Sequence, residues 1–528
     1  MIQPLIPTEE QQPVIDFDGS CVVIAAPGSG KTFTIARRIQ RILPTLKPHK
    51  GLIAISFTNK ASDELKRRSL QGGRRSPASF FGTIDRFMIS EVVAPFGRHV
   101  LGAPSDDVRI EKAQDLGIEL PEDPENYRSV MTALGDLYRQ GVIVLDCVGV
   151  MAHWITENSA ACRRYLKARY AGVFIDEYQD CGHWQQELFL KMVALGITGV
   201  AVGDIDQSIY AFAHKYPRYL ASLLDDDRFR VFAISRNRRC HVSIHAYAMR
   251  MRSAQYEPPE VEERRVFARK AKGDEVQLGV RLSGVIPCLM QRFGVQERRE
   301  VAILVQGGRT GAKVAEGLTI PFRLHEGTPL DDDSSLWGTL FRSVLFWVFS
   351  QERTKTELVE DYLNIEYRSA DARRALAILR AIQQAATIPN GIAGELDRFV
   401  ALAKLLRPEG ERAAAINRLR AVLGNPKSVE AFSAAQPNEV QIMTLHKAKG
   451  LEFDLVVHLD LYKWILPRYK GDETQDLNLH YVGITRAKKV CLLYCSTLRT
   501  KANGQVVDAE PSPFLFRNGV QVLRGSLA

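Results

Sequence analysis

Between an apolar run at 21–25 and an amphipathic run that begins at Lys31, the chain reads Ala25-Ala26-Pro27-Gly28-Ser29-Gly30-Lys31-Thr32. Few segments constrain a fold as tightly. A buried strand that ends in a glycine-rich turn and opens a helix aims backbone N–H groups and a helix N-terminus at one point, where phosphate oxygens are held. Ala26, Pro27, Gly28, Ser29 and Gly30 would line the phosphates, Lys31 would reach the β- and γ-phosphates of ATP, and Thr32 would hold Mg²⁺. The first position is Ala25 where the general pattern has glycine.

A second segment supplies the other half of the chemistry. Val173-Phe174-Ile175-Asp176-Glu177 is an apolar strand ending in two carboxylates. Alone, such a pair is commonly a solvated turn. Behind a phosphate loop, Asp176 takes the metal-binding role and Glu177 that of the base activating water.

Short apolar runs alternate with helical patterns along the chain. Strands are expected at 21–25, 52–57, 173–175, 200–202, 231–234, 301–305, 455–459 and 490–494, which points to parallel α/β sheets with helices on both faces. Two stretches, 89–165 and 346–435, break this rhythm with helical periodicity and read as insertions. At 528 residues, more than one core is needed. The 45% hydrophobic and 25% charged content fits a folded soluble protein, expected to be cytoplasmic. Lys and Arg exceed Asp and Glu by 70 to 61, a balance that suits a polyanionic partner. The longest apolar stretch, 336–349, is interrupted by Arg342 and too short to span a bilayer. Eight scattered cysteines without a CxxC pair read as reduced thiols rather than a metal site.

Asp176-Glu177-Tyr178-Gln179-Asp180 strongly resembles motif II of the UvrD/Rep/PcrA-type superfamily 1 helicases. Further motifs follow in order. Ser56-Phe57-Thr58-Asn59-Lys60-Ala61 resembles motif Ia and Gly82-Thr83-Ile84-Asp85-Arg86-Phe87 motif Ib. The run from Gly203 through Asp204, Gln207 and Tyr210 to Phe212 resembles motif III, and Ser235-Arg236-Asn237-Arg238-Arg239 motif IV. Thr444-Leu445-His446-Lys447-Ala448-Lys449-Gly450-Leu451-Glu452-Phe453 is similar to motif V, and Tyr481-Val482-Gly483-Ile484-Thr485-Arg486-Ala487 to motif VI.

The resemblance implies two RecA-like P-loop NTPase domains with two reduced, mainly helical insertion subdomains. The expected division is 1–88 and 166–230 for the first domain with its insertion at 89–165. The second takes 231–345 and 436–528, with its insertion at 346–435. It further implies that Arg239 and Arg486 reach the γ-phosphate from the second domain, as arginine fingers do, and that Gln207 senses that phosphate. Arg238, Gly450 and Glu452 would border the nucleotide. One of Gln11 and Gln12 would read adenine, and Gln12 is placed in the site. Thr58, Asn59, Lys60, Thr83 and His446 would contact a nucleic-acid backbone, with Phe57, Tyr210 and Phe212 as stacking platforms.

Four positions, in three of the motifs, depart from the family pattern. Ala213 and His214 follow Phe212 where Arg and Gly are usual, Arg238 replaces a tyrosine, and Asp85 stands where His is common. A guanidinium also stacks on a base.

The compact plan, with the stretches Gly82–Glu91 and Gly327–Asp331, further resembles GajB, the helicase-like subunit of the Gabija anti-phage defence system. That resemblance implies a GajA-like ATPase–Toprim nuclease partner in a hetero-oligomer. The expected activity is ssDNA-stimulated ATP hydrolysis with 3′–5′ translocation on single-stranded or partly duplex DNA. A DNA-sensing ATPase switch and a compact repair helicase are the alternatives.

Overall fold

The computed structural model describes residues 6–71, 76, 78–105, 108–331, 333, 335–350, 354–363, 368–408, 412–469, 471–501 and 503–526. The side chains of Asn59, Lys60 and Phe212, three of the expected nucleic-acid contacts, lie outside what is described.

In the first half, strands β1 (Cys21–Ala25), β2 (Gly51–Ile55) and β3 (Phe80–Gly82) are followed by a small parallel pair, β4 (Arg109–Glu111) and β5 (Val142–Val144). After them come β6 (Tyr170–Ile175), β7 (Thr198–Gly203) and β8 (Arg230–Ile234). Six of these form one sheet in the order β3-β2-β6-β7-β1-β8, with every neighbouring pair parallel. A second six-stranded parallel sheet follows from β9 (Val266–Ala271), β10 (Val301–Val305), β11 (Phe322–Leu324), β12 (Val440–Thr444), β13 (Phe453–His458) and β14 (Ala487–Ser496). Its order is β11-β12-β10-β13-β14-β9. The fold is α/β, with two RecA-like sheets flanked by helices.

The strands are apolar on both sides because both faces are covered. In β1, Cys21, Val23 and Ala25 enter a core with Ile35 and Ile39 of helix Lys31–Ile42, while Val22 enters the opposite core with Ile53 and Ile175. The second sheet divides likewise: Val301, Ile303 and Val305 face one core, and Ala302 and Leu304 the other.

The two insertions differ in how they are held. The first shares the core of its sheet, with Val92, Met151 and Ile155 in one cluster with Ile175. The second has a core of its own. Trp337, Phe341, Leu379, Phe399 and Leu419 from helices Leu336–Ser350, Ser369–Ala386, Leu396–Leu406 and Ala413–Leu423 pack together. Each such side chain contributes about 1.5–3 kcal/mol on burial.

Two expected boundaries shift: the second insertion begins before 346, because helix Leu336–Ser350 already packs in its core, and the junction at 230/231 moves as well. Strand β8 pairs along its length with β1, so residues 231–234 complete the first sheet rather than open the second. The hydrophobic run there was legible, but its neighbour was not. No helix among the described residues is long and apolar enough to cross a membrane.

Candidate functional site

In a parallel sheet, side chains that bind ligands gather at the carboxyl ends of the strands. The order β6-β7-β1 therefore puts three expected motifs side by side: Asp176 and Glu177 after β6, Asp204 to Gln207 after β7, and the phosphate loop after β1. The β2 and β3 ends place Phe57, Thr58 and Thr83 on the other flank.

The loop needs its glycines. Gly28 has φ +71° and Gly30 φ +87°, a region where L side chains are strained. A Cβ on Gly28 would lie 2.5 Å from Cβ of Arg239, and one on Gly30 would lie 2.6 Å from Nε2 of Gln11. Both contacts are informative. The segment Asn237–Arg239 lies against the loop, with the Arg238 N–H donating to the Gly28 carbonyl at 2.9 Å. Gln11 is buried, and its Nε2 donates to the Ser29 carbonyl at 2.7 Å. Gln12, the glutamine placed in the site from sequence, is exposed and donates instead to Asp16 at 2.9 Å. The structure therefore corrects the choice: Gln11 is the residue at the loop.

Thr32 opens helix Lys31–Ile42, and its Oγ1 donates to Oδ2 of Asp176 at 2.7 Å. A hydroxyl and a carboxylate side by side are hard oxygen donors that fit Mg²⁺. Among the described residues, two buried polar atoms at this place have no hydrogen-bond partner, Oγ of Ser29 and Nε of Arg239. Buried polar groups are rarely left so, and both suit phosphate oxygens of ATP.

The paired acids are electrostatically distinct. Burial and the neighbouring Glu177 raise Asp176 above the usual carboxylate range. Burial also acts on Glu177, but Lys31, Lys449 and Arg486 outweigh it and hold Glu177 low, as an anion. Glu177 has φ +57°, a conformation costing roughly 1–3 kcal/mol for a non-glycine residue and commonly found at active sites. Nε2 of Gln179 donates to its carboxylate at 2.5 Å, and Oε1 of Gln179 accepts from the Asp204 N–H at 3.0 Å.

From the second half, Arg486 is buried among carbonyls. Its guanidinium donates to Val482 O at 3.1 Å, Leu451 O at 3.3 Å and Oε1 of Gln207 at 3.2 Å. Burial, followed by the charge of Arg239, pulls its pKa down to about 10. Arg239 pairs with Glu452 at 2.6 Å. Arg239 lies against the phosphate loop, and its charge acts on Arg486, so an anion bound at the loop would relieve both. The structure brings Lys31, Thr32, Asp176, Glu177, Gln207, Arg239, Arg486 and Glu452 together. Gly450 is a φ +85° turn residue one step beyond Lys449.

Several residues of the junction carried no role in the sequence reading. Lys449 Nζ lies 2.6 Å from Oδ2 of Asp180 and donates to the Gln207 carbonyl at 2.8 Å. Helix Glu473–Ile484 runs into Arg486 and grips the motif after β7: Asn478 Nδ2 donates to Ser208 O at 2.8 Å, and Oε1 of Gln475 accepts from the Ala211 N–H at 3.4 Å. Arg252 pairs with Asp206 beside them. Asp180 and Lys449 lie inside the motifs quoted above, which is the signal that could have found them.

On the other flank, Thr58 and Thr83 cap helices, accepting from Ala61 N–H at 3.2 Å and Arg86 N–H at 3.4 Å. Lys449 Nζ stands 4.7 Å from the ring centroid of Tyr210, and the His446 ring lies 6.3 Å from it. Burial, with Arg468 nearby, lowers the His446 pKa and keeps the imidazole neutral. A cleft of about 230 Å³ beside them is lined by Ile209, Ala211, His446, Arg468, Asp472, Gln475 and Leu479. Phe57 packs at the edge of the first core.

The family model described as an AAA domain matches residues 15–213, and that described as a UvrD-like helicase C-terminal domain matches residues 242–499. Among curated proteins, the chain is 25% identical to the Gabija protein GajB of Bacillus cereus, over 90% of this chain and 93% of that protein. It is 23% identical to the ATP-dependent DNA helicase Rep of Escherichia coli, over 96% of this chain and 93% of that protein. The ATP-dependent DNA helicase UvrD2 of Mycobacterium bovis is 25% identical, over 97% of this chain and 81% of its own.

Proposed function

Because the chain belongs to the UvrD-like helicase family and so is an ATP-dependent DNA helicase, we propose that it hydrolyses ATP between its two sheets to move along single-stranded DNA, 3′ to 5′, as the GajB-like subunit of a Gabija-type defence complex.

The observation that carries this reading is helix Glu473–Ile484. Through Asn478 and Gln475 it holds the motif after β7, whose Tyr210 faces the strand side, and at its end Arg486 reaches Gln207 on the nucleotide side. A change at the γ-phosphate is thereby transmitted to the nucleic-acid groove through one rigid element.

In the proposed reaction, Glu177 removes a proton from water as its oxygen attacks the terminal phosphorus of ATP. The bond to the bridging oxygen breaks, releasing ADP and phosphate. Gln11 and the loop 26–30 seat the nucleotide, Lys31 holds its terminal phosphates, and Arg239 and Arg486 offset the charge that develops in the transition state. Arg238 lies at the edge of the loop, where its guanidinium stacks on the base. Mg²⁺, held by Thr32 and Asp176, would neutralise phosphate charge. Thr58, Thr83 and His446 contact the backbone of the strand, with Phe57 and Tyr210 stacking its bases.

The Gabija role rests on the similarity to GajB and implies a nuclease partner in a hetero-oligomer. Phosphate release measured with and without single-stranded DNA tests the motor, and a strand-displacement assay tests unwinding. Turnover indifferent to DNA would sink the motor reading. Failure of a nuclease subunit encoded beside this gene to co-purify would sink the defence reading and leave a compact repair helicase.

A further inference from the structure

Two aromatic rings of the proposed strand groove each carry an ammonium on their face. Lys449 Nζ lies 4.7 Å from the ring centroid of Tyr210, and Lys215 Nζ lies 4.7 Å from that of Phe57. The two lysines are anchored differently. Lys449 is fixed by the carboxylate of Asp180 and the carbonyl of Gln207. Among the described residues, Lys215 joins no ion pair; its ammonium rests on the ring itself.

Lys215 owes its position to a tight turn. The Ala213 and Lys215 N–H groups both donate to the Tyr210 carbonyl, at 2.9 and 3.3 Å, and His214 between them has φ +55°. That left-handed residue folds the chain back so that Lys215 projects toward Phe57. Asp85 is half-buried and takes a hydrogen bond from Gln185 at 3.3 Å; burial raises its pKa above the usual carboxylate range, and the charge of Lys215 opposes that rise. The ammonium therefore rests on an aromatic face and makes no ion pair with a carboxylate among the described residues.

A cation on a ring face occupies the surface on which a nucleobase would stack. The two contacts are comparable in strength, roughly 0.5–2 kcal/mol for the cation and roughly 1–3 kcal/mol for the base. A base can displace the ammonium, and a released ammonium beside a nucleic-acid backbone has a phosphate to bind.

We propose that Lys215 is an exchange cation for single-stranded nucleic acid: a base takes the face of Phe57, and the Lys215 ammonium moves from the ring onto a backbone phosphate. The inference rests on the proposed strand-binding reading and adds to it a contact that is sequence-independent and present only in the bound state. The turn at His214 keeps the lysine stem in place while its head moves.

The test measures binding of fluorescein-labelled oligothymidylate and oligoadenylate to the full chain by anisotropy, across a salt series, for the unaltered protein, Lys215→Gln and Lys215→Ala. Losing one phosphate contact on a single strand lowers the slope of log affinity against log salt by about 0.7. The disadvantage of the variants should thus shrink by roughly threefold between 50 and 200 mM salt. The same loss is expected for both oligonucleotides, with melting temperature unchanged in Lys215→Gln, which keeps most of the stem. An unchanged slope in both variants overturns the proposal. So does tighter binding by the variants at every salt concentration, which would mean that the ammonium only blocks the ring. If the unaltered protein shows no salt-dependent binding, the strand-binding reading fails along with it.

Discussion

Lys449 Nζ lies 2.6 Å from Oδ2 of Asp180, which ties the loop after β12 of the second sheet to the turn after β6 of the first. Asp180 is buried, and burial raises its pKa while Lys449 opposes that rise. Its other oxygen has no hydrogen-bond partner among the described residues. Removing one member of a buried pair leaves the other charge uncompensated, at a cost of about 3–5 kcal/mol. In Lys449→Met, part of that cost falls on closing the two halves around ATP. Phosphate release should fall by about 10–100-fold, with Asp180→Asn recovering part of the loss in the double variant. Turnover equal to that of the unaltered protein would remove this pair from the coupling.

Lys31 and Glu177 fail in different ways. Lys31 offers its charge to the bound nucleotide, whereas Glu177 is held anionic by Lys31, Lys449 and Arg486 and acts on water. Glu177→Gln should keep nucleotide affinity and lose about 10²–10⁴-fold in turnover, the usual contribution of a general base. Lys31→Ala should weaken nucleotide binding itself. Equilibrium binding of a fluorescent ATP analogue, read beside single-turnover hydrolysis, separates the two defects.

Gln11 and Gln12 provide a third contrast. Gln11 bonds the Ser29 carbonyl and accepts from the Thr8 N–H at 3.0 Å, while Gln12 bonds only an exposed aspartate. Gln11→Ala leaves the loop carbonyl short of a donor and should raise the KM for ATP by about tenfold, the equivalent of one lost buried hydrogen bond. Gln12→Ala should leave it unchanged. Equal effects from the two substitutions would contradict the placement.

That pair also shows what could be read before the structure was known. Gln11, Val14 and Ile15 are buried on helix Gln11–Asp16, a spacing of i, i+3 and i+4 that marks one helical face. The register was available in the sequence, but the short helix hid it among neighbouring prolines and polar residues. Strands β1, β6 and β10 were legible as continuous apolar runs because both their faces are covered. β3, β9 and β11 were not: each is an edge strand, two have three residues, and β9 carries exposed Ala268, Arg269 and Lys270. Motif residues announced themselves through order and spacing. The reach of Lys449 to Asp180, separated by 269 positions, depends on how the two sheets meet, which no local pattern encodes.

Behind helix Glu473–Ile484, a pair of histidines makes stability depend on acidity. Nδ1 of His480 and Nε2 of His458 are 3.0 Å apart, His458 Nδ1 lies 2.9 Å from the Leu459 carbonyl, and both rings are fully buried. The carbonyl requires a proton on Nδ1 of His458, so its Nε2 accepts from His480, and both rings are neutral. Burial pushes His458 down to about 4 and His480 well below its ordinary value. The unfolded chain takes up protons at these residues below about pH 6.5, whereas the folded chain does not. The stability they contribute is therefore complete above pH 6.5 and is lost as pH falls from there toward 4, by up to about 1.4 kcal/mol per pH unit for each histidine. Urea midpoints measured at pH 7.5, 6.0 and 5.0 should decline accordingly. His458→Leu combined with His480→Phe should lower the midpoint at pH 7.5 but flatten its fall between 6.5 and 5.0. An equally steep fall in that double variant would place the acid sensitivity elsewhere in the chain.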